Sequence, residues 1–254
     1  MSLYGCRVTG KRGFDPITLA KEMEKHVARG LERKYVRFRA TKFYGGIATG
    51  DVVGCNLRCV FCWAQEIREN PRLGFWVSAE EAFRRLYSIA RRRGFSKIRL
   101  SAGEPTIGLD HLFKLLDYVD SESSLLFILE TNGILIGADR SIAAKLSRYT
   151  RLHVRVSIKA CNEEWFHRLT LAKPEAFQYQ LMAIRNLLDY GVSFHPAVVI
   201  SFGDEECWQN FFKMLSEIEP RLLEALELEY IRLYPKVIAS LRRHGIWPVR
   251  AYTY

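Results

Sequence analysis

Beyond Gly46 the chain alternates short β-rich apolar runs with longer stretches in which apolar residues recur every three or four positions. The runs fall at 47–53, 97–102, 125–131, 152–159, 193–201 and 226–233, and their length and β-branched content predict strands. Helices are expected after residue 78 and at about 109–119, 139–146, 174–190, 204–218 and 235–244. The first is the best marked. Ser78 and Glu81 form a capping box ahead of Phe83, Leu86 and Ile89, and Gly94 follows the basic last turn of Arg91, Arg92 and Arg93 as a C-cap. Six strand–helix repeats demand a parallel sheet with right-handed crossovers. Six units are too few to close an eight-stranded barrel, so the expected fold class is α/β, a partial TIM-like barrel of six βα units. Residues 1–46 form a basic extension expected to pack on a core of 47–254 that includes a C-terminal helix and tail; no linker or internal repeat is visible.

Composition agrees with one core: 254 residues at 48 % hydrophobic content suffice to bury it. The N-terminus lacks an apolar h-region and no run of about 18 apolar residues occurs, so no membrane partner is expected. Six cysteines are present. Three are packed in one motif, while Cys6, Cys161 and Cys207 are scattered without disulfide-like pairing, which points to a reducing, cytoplasmic setting. The net charge of +10 attracts anions: nucleic acid, an acidic electron carrier such as flavodoxin or ferredoxin, or a phosphorylated metabolite.

The three clustered cysteines, Cys55, Cys59 and Cys62, stand in a CxxxCxxC run with Phe61 before the last. Three thiolates can hold three irons of a four-iron, four-sulfur cluster and leave the fourth open to a chelating substrate. Zinc would want a fourth Cys or His at short spacing; none lies between Arg68 and Asp110, and His111 falls inside a predicted helix.

Chemistry in parallel α/β folds gathers at the C-terminal ends of strands. The second strand ends in Ser101-Ala102-Gly103-Glu104-Pro105, the third in Glu130-Thr131-Asn132-Gly133 and the fourth in Ser157-Ile158-Lys159. Alternation puts Arg155, Ser157 and Lys159 on one face of the fourth strand, facing either a solvated barrel mouth or a ligand. Tyr234-Pro235 closes the sixth strand. His153 and His195 start their strands and read as structural.

These motifs resemble the radical S-adenosylmethionine (SAM) superfamily, whose signature is the cysteine spacing with an aromatic before the last cysteine. The resemblance implies one four-iron, four-sulfur cluster on Cys55, Cys59 and Cys62, with SAM as the second cofactor. It implies that the cluster's electron splits SAM to a 5′-deoxyadenosyl radical, which takes a hydrogen atom from a substrate. Gly103 and Glu104 are similar to the family's Gly-Gly-Glu-Pro element, with Ala102 in place of the first glycine. Thr131, Asn132 and Lys159 resemble the Asp-Thr-Asn-Gly and Asp-x-Lys elements of glycyl-radical-enzyme activases, with Glu130 and Ser157 in place of the aspartates. By that likeness Glu104 meets SAM's ammonium, Lys159 its carboxylate, Ser157 its carboxylate or ribose, and Tyr234 packs near the adenine.

The compact frame looks most like the activase branch, whose substrate is a glycine of a partner protein; a small-molecule or RNA-modifying enzyme is the alternative. A non-enzymatic iron–sulfur electron carrier would need the cysteine loop but not the Gly103-Glu104 and Lys159 motifs. Residues 33–44 interleave cations with aromatics. That pattern suits RNA and equally suits a half-buried edge strand with its charges in water. Arg37 and Arg39 are candidates for docking an acidic reductant.

Overall fold

A computed structural model of the chain describes residues 13–253; Cys6 lies outside the described residues. The elements run α1 (Pro16–Val27), β1 (Ala28–Arg29), β2 (Glu32–Thr41), β3 (Ile47–Val52), α2 (Gln65–Glu69), β4 (Phe75–Ser78), α3 (Ala79–Arg93), β5 (Lys97–Ser101) and α4 (Leu109–Glu122). They continue with β6 (Leu126–Thr131), α5 (Ile134–Ala138), α6 (Arg140–Leu146), β7 (Leu152–Ile158), α7 (Glu163–Thr170), α8 (Phe177–Asp189) and β8 (Phe194–Val199). The chain then forms α9 (Glu205–Ile218), β9 (Glu227–Glu229), β10 (Arg232–Leu233), α10 (Pro235–Arg243) and β11 (Tyr252–Thr253).

Strands β3, β5, β6, β7, β8 and β9 pair in that order, all parallel. They are the six strands of the sequence repeat. The sheet does not stop at β3: β2 pairs antiparallel with β3 and also with β1 and β4, so residues 28–41 extend the barrel sheet. The interleaved 33–44 segment is therefore largely sheet. Arg33 and Tyr35 are buried, Tyr35 bonding His111 at 2.8 Å. His111 is engaged at both ring nitrogens, by Tyr35 and the Leu31 carbonyl, and burial lowers its pKa to about 4.

Period-two alternation decides what each strand offers. On β7, Val154, Val156 and Ile158 enter the apolar core beneath the helices, while Arg155 and Ser157 face a cavity. Similar polar positions recur on neighbouring strands, at Arg99 on β5 and Glu130 on β6. The parallel strands thus bury apolar side chains on one face and line a charged chamber with the other, which explains the unusual charged row.

Several features were not expected from sequence. Helix α7 is short and held by its N-cap, Asn162, whose side chain accepts from the Trp165 amide; its eight residues are too few to establish a period. The sixth expected strand breaks after Glu229, giving β9 and β10. Cys161 and Cys207 form a disulfide with Cα atoms 5.7 Å apart, correcting the expectation that they lack a pairing. They are 46 residues apart in sequence, but Cys161 lies in the loop after β7 and Cys207 in the first turn of α9 after β8, and these two strands are adjacent in the sheet. No helix among the described residues is long and apolar enough to cross a membrane.

Candidate active site

A cavity of about 600 Å³ opens at the C-terminal ends of the strands, and it brings together the cysteine loop and the strand-end motifs. The loop after β3 holds Cys55, Cys59 and Cys62 as free thiols, all lining the cavity. Its backbone is pinned to α7: Arg58 N donates to Thr170 O at 3.0 Å and Val60 N to Leu169 O at 2.8 Å. Two guanidiniums clasp it as well, Arg58 donating to Cys55 O at 2.7 Å and Arg68 to Cys59 O at 2.5 Å.

The donor set fits a polynuclear cluster. Three thiols on one loop, with no fourth Cys or His at short spacing, can ligate three irons of a four-iron cluster. Burial, then the charges of Glu104 and Cys59, pushes the Cys55 thiol up to about 12, and burial also raises Cys59. Thiolates here need a compensating positive centre. Two buried donors beside them, Asn56 Nδ2 and Arg68 Nε, have no protein acceptor, as expected of donors facing an acceptor that the chain itself does not supply.

The 101–105 turn closes against this loop. Ala102 takes φ 71°, the left-handed conformation that a glycine would adopt, so the backbone path survives the substitution at the expense of local strain. A Cβ on Gly103 would stand 2.3 Å from Gly54 O and 2.6 Å from Val52 O. Only glycine permits that approach, and Glu104 N donates to Gly54 O at 2.8 Å. The Glu104 carboxylate is buried and already engaged. Its Oε1 accepts from Thr106 N, Thr106 Oγ1 and Thr131 Oγ1, while Oε2 accepts, among the described residues, only from Asn132 N, at 2.8 Å. Oε2 is the oxygen with capacity to spare. Asn132 Nδ2 donates to Asn56 Oδ1 at 2.7 Å, tying the β6 end to the cysteine loop.

Lys159 extends past β7 and its Nζ donates to Ser157 Oγ at 2.6 Å; no carboxylate among the described residues is paired with it. Beneath lies Gln180 of α8, fully buried and not singled out from sequence. Its Nε2 donates to Asn132 O at 2.6 Å and Ser157 O at 3.0 Å, and its Oε1 accepts from Lys159 N at 3.1 Å. One amide thus joins the ends of β6 and β7. The available signal was a glutamine on the apolar face of a helix, one turn from Phe177 and from Ile184. Phe61 lines the cavity and packs on Phe202, ring centroids 5.6 Å apart, and Tyr234 lines it from beyond β10.

The rest of the wall is charged and polarised. On the β2 side Arg37 and Arg39 share one carboxylate, Asp51, at 2.6 and 2.8 Å, and both line the cavity, with the Arg37 side chain also half exposed. Arg99 pairs with Glu130 at 2.5 Å and lies over the exposed Phe43 ring at 4.7 Å; Tyr44 OH donates to Glu130 at 2.6 Å. On the β9 side a single Arg155 meets two carboxylates, Glu227 at 2.8 Å and Glu229 at 2.7 Å. Within these ion pairs the β2 side has one more cation than carboxylates and the β9 side one more carboxylate than cations; Arg232 of β10 also lines the cavity.

His153 and His195, read as structural from sequence, do not line the cavity but connect to its far wall through Glu227. His153 Nδ1 faces Ser193 Oγ at 2.8 Å, its Nε2 faces His195 Nδ1 at 2.7 Å, and His195 Nε2 faces Glu227 Oε2 at 3.0 Å. An ionised carboxylate only accepts, so His195 Nε2 is the donor, His153 Nε2 donates in turn, and Ser193 donates to His153. The His195 bond, reinforced by Arg155, lowers the Glu227 pKa to about 2 against the opposing effect of burial.

A partial barrel with three free thiols at its C-terminal mouth defines an enzyme of the cluster-and-SAM type. The radical SAM superfamily model matches residues 51–215, and the chain belongs to that superfamily. The family's four-iron, four-sulfur cluster and SAM are therefore its cofactors. Among curated relatives, a probable GTP 3',8-cyclase of Pyrobaculum aerophilum is 25 % identical over 184 residues, covering 71 % of this chain and 55 % of that one. A GTP 3',8-cyclase of Desulforamulus reducens is 27 % identical over 186 residues, covering 71 % and 53 %. The chain spans about half the length of these relatives. In fold it is similar to a spore photoproduct lyase mutant (TM-score 0.59, 16 % identity, 96 % of this chain and 73 % of that one). It is also similar to Streptococcus suis SuiB bound to S-adenosylmethionine (TM-score 0.54, 19 % identity, 76 % and 42 %).

Proposed function

We propose that the chain is a radical SAM enzyme acting on a small anionic molecule of nucleotide type. The observation that carries this reading is the polarised wall: Arg37 and Arg39 over one shared carboxylate on one side, Glu227 and Glu229 over one shared arginine on the other. Phosphates suit the first side and the N–H edge of a base the second. The exposed Phe43 and Trp63 rings at the rim offer stacking surface. The curated GTP 3',8-cyclases among the relatives agree with that chemistry.

In this reading Cys55, Cys59 and Cys62 hold the cluster, which when bound supplies the electron that divides SAM into methionine and the hydrogen-abstracting 5′-deoxyadenosyl radical. Glu104 Oε2 accepts from SAM's ammonium beside the Ala102-Gly103 backbone, and Lys159 donates to its carboxylate. Ser157 holds Lys159 in place. Thr131 and Asn132 orient Glu104, and Phe61 and Tyr234 bound the space left for the adenosyl group. The activase expectation draws on the Thr131, Asn132 and Lys159 motifs, which serve SAM in either case and so favour neither substrate.

The test is calorimetric titration of the anaerobically reconstituted protein with GTP, guanosine and pyrophosphate. GTP should bind at least tenfold tighter than guanosine, and Arg37→Glu with Arg39→Glu should remove that advantage. Equal affinity for GTP and guanosine, or an advantage indifferent to the two arginines, would overturn the reading and return the partner-protein glycine to first place. Formation of 5′-deoxyadenosine with dithionite separately distinguishes any radical enzyme from an electron carrier.

A further inference from the structure

We infer that Arg68 is a built-in regulator of the cluster's reduction potential, a buried cation that makes the added electron easier to accept and that Glu69 partly offsets. This rests on the proposed ligation by Cys55, Cys59 and Cys62. The Arg68 side chain is 6 % exposed and lines the same cavity as the three thiols. Protein groups satisfy only part of its fork: one NH2 group donates to Cys59 O at 2.5 Å, the other pairs with Glu69, and the buried Nε has no acceptor. A guanidinium keeps its charge in any environment and offers five donors. Leaving one of them buried and unfilled is unfavourable unless a negative group arrives. Three thiolates on an oxidised four-iron, four-sulfur core carry one net negative charge, and one electron from a low-potential donor makes it two. A fixed cation against Cys59 stabilises the reduced state more than the oxidised one, because it meets the larger negative charge at reduced dielectric screening. Arg58 adds a second cation on the same loop, donating to the carbonyls of Cys55 and Leu57. Glu69, half exposed, acts in the opposite sense.

A purely structural clasp and an electrostatic one part company when charge is removed without loss of packing. Wild type, Arg68→Met, Arg68→Lys and Glu69→Gln are reconstituted anaerobically and followed by EPR-monitored redox titration, with iron and sulfide counted on each sample. At the wild-type midpoint, Arg68→Met should lower the reduced-to-oxidised ratio about tenfold, Arg68→Lys should hold it within about threefold, and Glu69→Gln should raise it. Full iron in Arg68→Met with an unchanged ratio would overturn the inference. So would Arg68→Met and Glu69→Gln shifting in the same direction. If Arg68→Met does not take up iron, Glu69→Gln decides alone: no upward shift sinks the proposal. Iron retained at wild-type level after Cys59→Ala would instead indict the ligand assignment, independently of Arg68.

Discussion

Replacing Gln180 by methionine should injure both stability and SAM binding, because this side chain joins the two strand ends that carry the SAM-side motifs. Methionine has nearly the same length and volume, so the perturbation is polar and not a cavity. It strands the Lys159 amide, whose bond is 3.1 Å, and removes donors from Asn132 O at 2.6 Å and Ser157 O at 3.0 Å. A net hydrogen bond contributes about 1 kcal/mol, and a buried group left unmade costs about 1–3 kcal/mol. The three together should destabilise the fold by about 3 kcal/mol, or about 6–12 °C in Tm for a chain of this size. Differential scanning calorimetry on the cluster-free protein reads the first effect without interference from iron. Titration of the reconstituted protein with SAM reads the second, expected as a loss of tenfold or more as Asn132 and Lys159 lose register. A methionine variant with wild-type Tm and wild-type SAM affinity would refute the claim that Gln180 positions these strand ends.

Three further outcomes follow from particular contacts. Ala102→Gly should relieve the left-handed strain at φ 71° and raise stability by about 0.5–1 kcal/mol after the entropy of glycine is subtracted, checked as a higher denaturation midpoint. Cys161→Ala should leave iron content intact while lowering stability by about 2–4 kcal/mol, since the disulfide closes a loop of 46 residues; loss of iron would contradict the separation of this pair from the cluster. Glu227, whose pKa falls to about 2 through His195 and Arg155, stabilises the fold above the ordinary carboxylate pKa of 4.5, and that contribution disappears as pH drops from about 4.5 towards 2. Glu227→Gln should flatten this acid limb in chemical denaturation measured from pH 5 to 2, and an unchanged slope would remove the network from the ledger of acid stability.

The βα rhythm, the six parallel strands and the CxxxCxxC loop were legible from sequence because each rests on short-range spacing: period two, period 3.6 and a loop of eight residues. The Gly103-Glu104-Pro105 turn was legible too, but that Gly103 packs against the Val52 and Gly54 carbonyls was not. What required the tertiary structure is whatever depends on groups far apart in the chain. Cys161 and Cys207 meet across 46 residues, Gln180 reaches strand ends at 132 and 157, and His153, His195 and Glu227 line up only when β7, β8 and β9 lie side by side. Residues 28–41 read as an extension beside the barrel, yet backbone pairing of β2 with β3 makes them part of its sheet and turns Arg37 and Arg39 towards the cavity. Local periodicity specifies which face of an element is apolar. Which polar groups then share the enclosed face is settled by strand order and register, and that decides how buried charges find their partners.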